Sequence, residues 1–573
     1  ACYACRQRKS QCKVEPEQPL ACMMCRSHGS TCVFPPSRPK AQKRRYRRQC
    51  NGPGDVEISQ LQTIGVEQAS VVPHSDTGHG IAINVQSDSS ADGQLSLEAA
   101  AEASSNQRLI GPVLASDDQH LSKLMEDKGV TGTATTRTVF SSRHGSNLSA
   151  PIVFTPARRR PVGLHSRSEP AQETLDIIKK LVEPWEDDLL KLYVAKAEIC
   201  CPLLSKKQLH HLLDTRDGNA PPALLACLLA HSLTFWSSSQ WLSSRRPPDQ
   251  RFIWNLANEA LFLEMRVSPK LSTIAAVLLN VGGRPTSMVF NNSGQLGFAI
   301  SVAYTLGLNR DPTEWDIPPH EKEARMNLWR GLLLYDRWQS LAHGSPPHIQ
   351  TTYFDVPTIE PSTQLTQHTV ESNARSIYEH LLTLTENVLS PHLCEINRLA
   401  TVGDKSFSSN DQRHDSTSRL QEWMDSSTGV SRSVIIRGTD LSTPGAANLR
   451  LAFLIIQFLD RRLNMGPGHE ASGQSGHYQP ALRAAEDVVF FLQELGEDEL
   501  QGYWMPTMGF ALLMVMTFLI RSVLDTDPAQ RELNQPLGFA QTMMECLREH
   551  RKRGNWDIAD LCLGYYDQAL QKI

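Results

Sequence analysis

Apolar residues recur three and four positions apart through most of the chain beyond residue 170. That spacing puts them on one face of an α-helix. It predicts helices over Thr174–Leu181 and Asp187–Glu198, where Leu189, Leu192, Tyr193 and Ala197 form the stripe. Pro221–Trp236 is apolar nearly all round and reads as a buried helix; Phe252–Met265, Leu271–Val281 and Gly297–Leu306 continue the pattern. A long helix is predicted over Glu321–Ala342, with Leu328, Leu332, Tyr335 and Trp338 facing inward and Pro318-Pro319 as its start signal. Thr443 offers an N-cap with Pro444 at the first helical position, ahead of Leu449, Phe453, Ile456, Leu459 and Leu463. The uncharged run Gly502–Ile520 is nineteen residues long, but Pro506 and Gly509 lie in its first half, so it reads as a core helix rather than a membrane span. Alternating strand patterns are nearly absent, which predicts an all-α body.

Polar stretches divide this pattern. Residues 51–165 are rich in Ser, Gly, Asp and Gln and poor in aromatics, a composition too weak to offset chain entropy. They are expected to form a disordered linker, with room for one short helix near Leu114–Lys128. Residues 401–443 turn polar again and read as an insertion. The expected parts are therefore 1–35 (a cysteine-rich head), 36–50 (a basic tail), 51–165 (linker), 170–400 (helical body), 401–443 (insertion) and 444–573 (a C-terminal helical part). No heptad repeat supports a coiled coil.

Charge sharpens the division. The chain carries a net charge of -4, yet its first 50 residues hold 12 Lys and Arg against two acids. A basic head on an acidic body points to a polyanion partner for the head alone. Six of the 13 cysteines lie in the first 32 residues, as Cys2-x2-Cys5-x6-Cys12 and Cys22-x2-Cys25-x6-Cys32. Thiolates at that spacing suit zinc, which prefers four ligands in a tetrahedron. Two zincs need eight ligand places, and six thiolates fill them if two bridge. One zinc would leave two cysteines over, and the duplicated spacing favours two. The segment has almost no apolar core, so metal would supply most of its folding free energy, on the order of 10 kcal/mol per ion.

The two halves differ. Arg6, Arg8, Lys9 and Lys13 surround the first, whereas the loop between Cys25 and Cys32 has only Arg26. Lys or Arg paired to guanine O6 and N7 is the commonest direct base contact in the major groove. The run Lys40, Lys43, Arg44, Arg45, Arg47, Arg48 suits phosphate gripping or a nuclear-localisation signal.

Cys-x2-Cys-Arg-x-Arg-Lys-x2-Cys followed by Cys-x2-Cys-x6-Cys resembles the fungal zinc binuclear cluster (Zn2Cys6) transcription factors. The resemblance implies that Cys2 and Cys22 bridge both metals. It also implies that Arg8 and Lys9, Lys9 above all, read CGG-type triplets. This chain departs from the family at Gln11, where a basic residue is common, and at Pro19, three rather than two residues before Cys22. The body is similar to the fungal-specific transcription factor regulatory domain. The likeness rests on Glu183-Pro184, Leu192-Tyr193 and Cys201-Pro202-Leu203-Leu204, then on Leu306–Asp311, Trp315, Ile317-Pro318-Pro319, Leu328-Trp329, Tyr335–Trp338 and Gly344…Pro346…Ile349. Gly344-Ser345-Pro346 stands where the family usually has Gly-Arg-Pro. The resemblance implies a nuclear home, double-stranded DNA as partner, contacts with transcription machinery or co-regulators, compatibility with homo- or heterodimers, and control of nutrient or secondary-metabolism genes. The rival reading is a co-regulator whose cluster contacts protein instead of DNA.

Enzyme motifs are missing from the sequence. Gly466-Pro467-Gly468-His469-Glu470-Ala471 matches a dinucleotide fingerprint only by letters, since no strand pattern precedes it. No G-x-S-x-G or H-E-x-x-H occurs. Asp336-Arg337 reads as a structural ion pair, and Glu486–Glu499 as an amphipathic helix rather than an activation surface. No catalysis is expected.

Overall fold

The computed structural model describes Cys12, Cys22, Cys25 and 31–34 of the head, scattered positions within 107–156, and most of 170–570; the breaks there are 215–219, 268, 284–288, 360–368, 403–409, 465–478 and 526–534. The chain divides into two units, residues 1–90 and 91–573.

The second unit is helical, as the spacing predicts. It opens with α1 (Pro170–Val182) and α2 (Glu186–Tyr193), followed by α3 (Lys206–Asp214) and α4 (Pro222–Ser232). Ten of the eleven residues of α4 are buried, because it lies among α1, α5 (Gln250–Val267) and α6 (Leu271–Gly282). Next come α7 (Val289–Thr305) and α8 (Pro319–His343), both packed on α6. Pro318 and Pro319 do start α8, and Gly344 ends it in the left-handed conformation at φ +64°. Glycine adopts that conformation without a Cβ penalty.

The chain continues through α9 (Val370–Thr383), α10 (Ser390–Val402) and α11 (Asn410–Ser426). Then come α12 (Ala446–Asn464), α13 (Gln479–Glu494), α14 (Met508–Leu524), α15 (Gln535–Gly554) and α16 (Asp560–Leu570). One contiguous apolar core runs from Ala171 to Cys562, with Trp329, Trp338, Trp504 and Trp556 almost wholly buried. Among the described residues, no helix is long and apolar enough to cross a membrane.

Three details differ from the sequence reading. Part of the polar stretch 401–443 packs into the core: α11 buries Leu420 and Trp423, and the π-helical turn Ser433–Arg437 buries Val434 and Ile435. Trp423 stacks on Phe453 at 6.0 Å and donates its indole N–H to Thr383 Oγ1 at 2.9 Å. Only the inward positions of α11 are apolar, so mean composition hid it. Thr443 and Pro444 form a turn instead of a cap, and α12 starts at Ala446, just after Gly445 at φ +82°.

The third difference lies in the stretch expected to be linker. Strands β1 (Gln107–Leu109), β2 (Arg137–Val139) and β3 (Ile152–Pro156) form an antiparallel sheet in the order β1-β3-β2. Its anchor is Phe154, 3% exposed, which meets Trp315 edge-on at 5.7 Å. Arg325 lies over both rings, at 5.5 Å from Phe154 and 5.3 Å from Trp315. Its guanidinium also donates to the Leu306 carbonyl at 3.0 Å and pairs with Glu321 at 3.1 Å. A Cβ at Gly307 would come within 3.2 Å of the Phe154 ring, and Gly307 sits at φ +70°. Glycine there lets the strand lie close. Elsewhere in the stretch, Ala115, Asp117 and Leu124 are helical, inside the short helix expected near Leu114–Lys128.

Candidate functional site

In the head, Cys22 and Cys25 are buried and Cys12 and Cys32 pack against them. The Sγ atoms of Cys22, Cys25 and Cys32 all lie within 4.8 Å of one another. Ligands about 2.3 Å from a tetrahedral zinc stand roughly 3.8 Å apart, so this trio has the span of three corners of one site. Two backbone amides already face the sulfurs. Cys25 N–H donates to Cys22 Sγ at 3.4 Å, and Cys22 N–H donates to Cys32 Sγ at 3.3 Å. Such bonds favour the thiolate over the thiol, which metal binding requires. The two-residue spacer of Cys22-x2-Cys25 brings both sulfurs to one side of a tight turn, and Cys32 returns to meet them. The donor set therefore fits zinc. Cys2 and Cys5, together with Arg6, Arg8, Lys9, Lys13 and the tail Lys40, Lys43, Arg44, Arg45, Arg47 and Arg48, lie outside the described residues.

The body carries a second buried polar cluster that the residue pattern did not single out. Helix α2 widens into a π-helical turn over Val194–Glu198. Glu198 is 6% exposed and accepts three hydrogen bonds, from Tyr193 Oη (2.6 Å), Leu203 N (3.1 Å) and Leu204 N (3.0 Å). Burial dominates these bonds and pushes its carboxyl up from 4.5 to about 7. The same burial pushes the Cys201 thiol up to about 12 and raises Cys200 further, so neither is a reactive thiolate. Tyr335 and Tyr503 share a hydroxyl–hydroxyl bond of 2.5 Å close by. Cys201-Pro202-Leu203-Leu204 thus serves to bring two amides onto Glu198. An acid followed within six residues by Cys-Pro-Leu-Leu is a faint signal, legible only once the turn is known.

Asp336 and Arg337 form the structural pair expected of them. Arg337 Nη1 lies 2.7 Å from Asp336 Oδ2, with both side chains buried. Asp336 also accepts from His348 N (2.9 Å), His348 Nδ1 (3.2 Å) and Ile349 N (3.0 Å), so it pins the loop that leaves α8. The hydrogen bond from Asp336 holds His348 above its ordinary pKa. At Ser345, in place of the family's usual arginine, the carbonyl accepts from Ser340 Oγ at 2.5 Å.

A cysteine cluster that fits zinc and a single-core helical body define a two-part protein with a metal-binding head. Residues 1–41 match the fungal Zn(2)-Cys(6) binuclear cluster domain, which takes two zinc ions, and residues 190–425 match the fungal specific transcription factor domain. The chain is thus similar in both parts to the fungal zinc binuclear cluster family of transcriptional regulators. It is 32% identical over 199 residues to an uncharacterized transcriptional regulatory protein of Schizosaccharomyces pombe, covering 34% of this chain and 30% of the relative. It is 28% identical over 189 residues to the transcriptional activator protein DAL81 of Saccharomyces cerevisiae, covering 32% and 19%. It is 24% identical over 188 residues to cutinase transcription factor 1 beta of Fusarium vanettenii, covering 31% and 21%. The matched stretches span less than a third of each relative. The helical core of this chain continues well past residue 425, where the domain match ends.

Proposed function

We propose that this protein is a nuclear, sequence-specific DNA-binding regulator of RNA polymerase II genes, and not an enzyme. The clustering of Cys22, Cys25 and Cys32 thiols, in a segment matching the binuclear cluster domain, carries this reading. Cys2, Cys5, Cys12, Cys22, Cys25 and Cys32 hold two zinc ions, with Cys2 and Cys22 shared. The ions do no chemistry; they fold a segment that has no apolar core of its own. Around that scaffold, Arg6, Arg8, Lys9 and Lys13 face the major groove, with Lys9 reading guanine in CGG-type triplets. Lys40, Lys43, Arg44, Arg45, Arg47 and Arg48 hold phosphates and set the register. The helical body passes the signal to transcription machinery or co-regulators. A relative named as a cutinase transcription factor supports a reading in which the controlled genes serve nutrient use or secondary metabolism.

The test is Lys9→Ala in the full chain. One good base contact is worth about 1–3 kcal/mol, so preference for CGG-containing over scrambled duplex should fall by roughly 5- to 150-fold. Metal analysis of the same sample should still return two zincs per chain. Unchanged preference would place base readout elsewhere.

A further inference from the structure

The stretch Trp241–Phe252, which leads into α5, carries three arginines and one acid on a body that is acidic as a whole. Arg245, Arg246 and Arg251 are all exposed, and among the described residues none of them forms an ion pair. The one acid, Asp249, is engaged with the backbone: its Oδ1 accepts from Phe252 N at 3.1 Å. Two rings stand in water beside these cations. Trp241 is 56% exposed and Phe252 is 49% exposed. Arg245 holds its guanidinium 4.2 Å from the centre of the Trp241 ring, a cation–π contact that still leaves more than half of that side chain uncovered. Tryptophan, phenylalanine and arginine are the residues in which protein–protein interfaces are enriched.

The core holds this surface in place from below. Trp241 sits on a one-turn helix, Gln240–Ser243, whose Leu242 is wholly buried and whose Ser239 cap accepts from Leu242 N at 3.3 Å. Arg245 is fixed through both of its backbone groups. Its N–H donates to the Leu242 carbonyl at 2.9 Å, and its carbonyl accepts from the Trp236 indole N–H at 3.2 Å. Pro247 and Pro248 then fix φ over the turn into α5, and the fully buried Ile253 fastens the neighbouring Phe252 to the body. Anchors that are already ordered lose little entropy when a partner covers them.

We propose that Trp241–Phe252 is a docking surface for an acidic, apolar-bearing peptide segment of a partner protein. The partner's carboxylates pair with Arg245, Arg246 and Arg251, and its apolar side chains cover Trp241 and Phe252. Charge complementarity names the occupant, because three unpaired guanidinium groups call for several acids and two wet rings call for apolar cover. Duplex DNA would supply the charge but leave both rings in water, and the acidic body around the patch repels an extended polyanion. A merely solvated arginine cluster would bind by charge alone and be indifferent to Trp241. The surface goes beyond the DNA-reading assignment and stands apart from it.

The test is fluorescence anisotropy of a labelled synthetic peptide of Asp and Glu carrying Phe and Leu, titrated with the zinc-loaded full chain. An excess of unlabelled CGG duplex is present to occupy the basic head. The peptide should bind saturably. Replacing its acids by amides, or its Phe and Leu by Ser, should weaken it at least tenfold. Trp241→Ala should also weaken it at least tenfold, as should Arg245→Glu with Arg246→Glu. Should either variant fail to fold, Arg246→Glu alone, at an exposed side chain, should weaken the peptide several-fold. No saturable binding, or an affinity unchanged by Trp241→Ala or by Arg246→Glu, would overturn the proposal. So would loss of the signal when the duplex is added, which would place the peptide on the head. Self-association in sedimentation velocity that Trp241→Ala abolishes would overturn it too, by placing a second copy on the surface. DNA reading by the head is judged separately from each of these outcomes.

Discussion

Glu198 shows how one residue links burial to pH. Its carboxyl is held up at about 7 from an ordinary 4.5 because burial outweighs its three hydrogen bonds. The folded chain therefore keeps a proton that the unfolded chain gives up near pH 4.5. The stability owed to this group is complete below about 4.5 and is lost as pH rises through about 7. Glu198→Gln keeps an oxygen for the Leu203 and Leu204 amides and has no charge to bury. Wild type should thus lose about 3 kcal/mol relative to this variant between pH 4.5 and 8. Urea midpoints at the two pH values measure it, and an equal gap at both would show that Glu198 is not protonated in the folded chain. The local sequence marks Glu198 only faintly, by the Cys-Pro-Leu-Leu that follows it. Tyr193 precedes the π-helical turn and Leu203 and Leu204 follow it, and only the folded path brings them together on Glu198.

At the scale of elements, the helices were legible wherever a stripe was long and one-sided, as in Pro319–His343 and Leu271–Gly282. The small sheet was not. Strands of three to five residues are too short to display alternation, and β3 is held by contacts with Trp315 and Arg325, more than 150 residues away. The helix Asn410–Ser426 was missed because, among its described side chains, only Leu420 and Trp423 are apolar and buried, with Met424 partly buried beside them. The docking of β3 can be measured. Phe154→Ala removes the ring that fills the gap between Gly307, Trp315 and Arg325, at a cost of about 3–5 kcal/mol. Amide exchange at Ile110, whose N–H donates to Val153 O, should accelerate at least tenfold. Protection in the middle of Pro319–His343 should persist. Unchanged exchange at Ile110 would mean that Phe154 does not hold the sheet. The half-patterns of cysteine, by contrast, were legible at once, because thiolate spacing encodes the metal site without need of long-range contacts.

At the scale of the whole molecule, two units have different sources of stability. The head relies on metal, and the body on one continuous apolar core from Ala171 to Cys562. Adding a strong chelator to the full chain should therefore unfold the head while the helical circular-dichroism signal and the main thermal transition stay within about 1 °C, since the core makes no use of metal. A fall of many degrees in that transition would show that metal also supports the body.

DNA reading by a zinc-built head is the central proposal. Its most direct measurement is fluorescence anisotropy of the full chain on CGG-containing and scrambled duplexes, before and after zinc removal, across a salt series. Zinc-loaded protein should prefer the CGG duplex at least tenfold, affinity should fall steeply with salt as phosphate contacts are screened, and chelation should abolish the preference. Equal binding to both duplexes, or a CGG preference that survives complete zinc removal, would contradict the account.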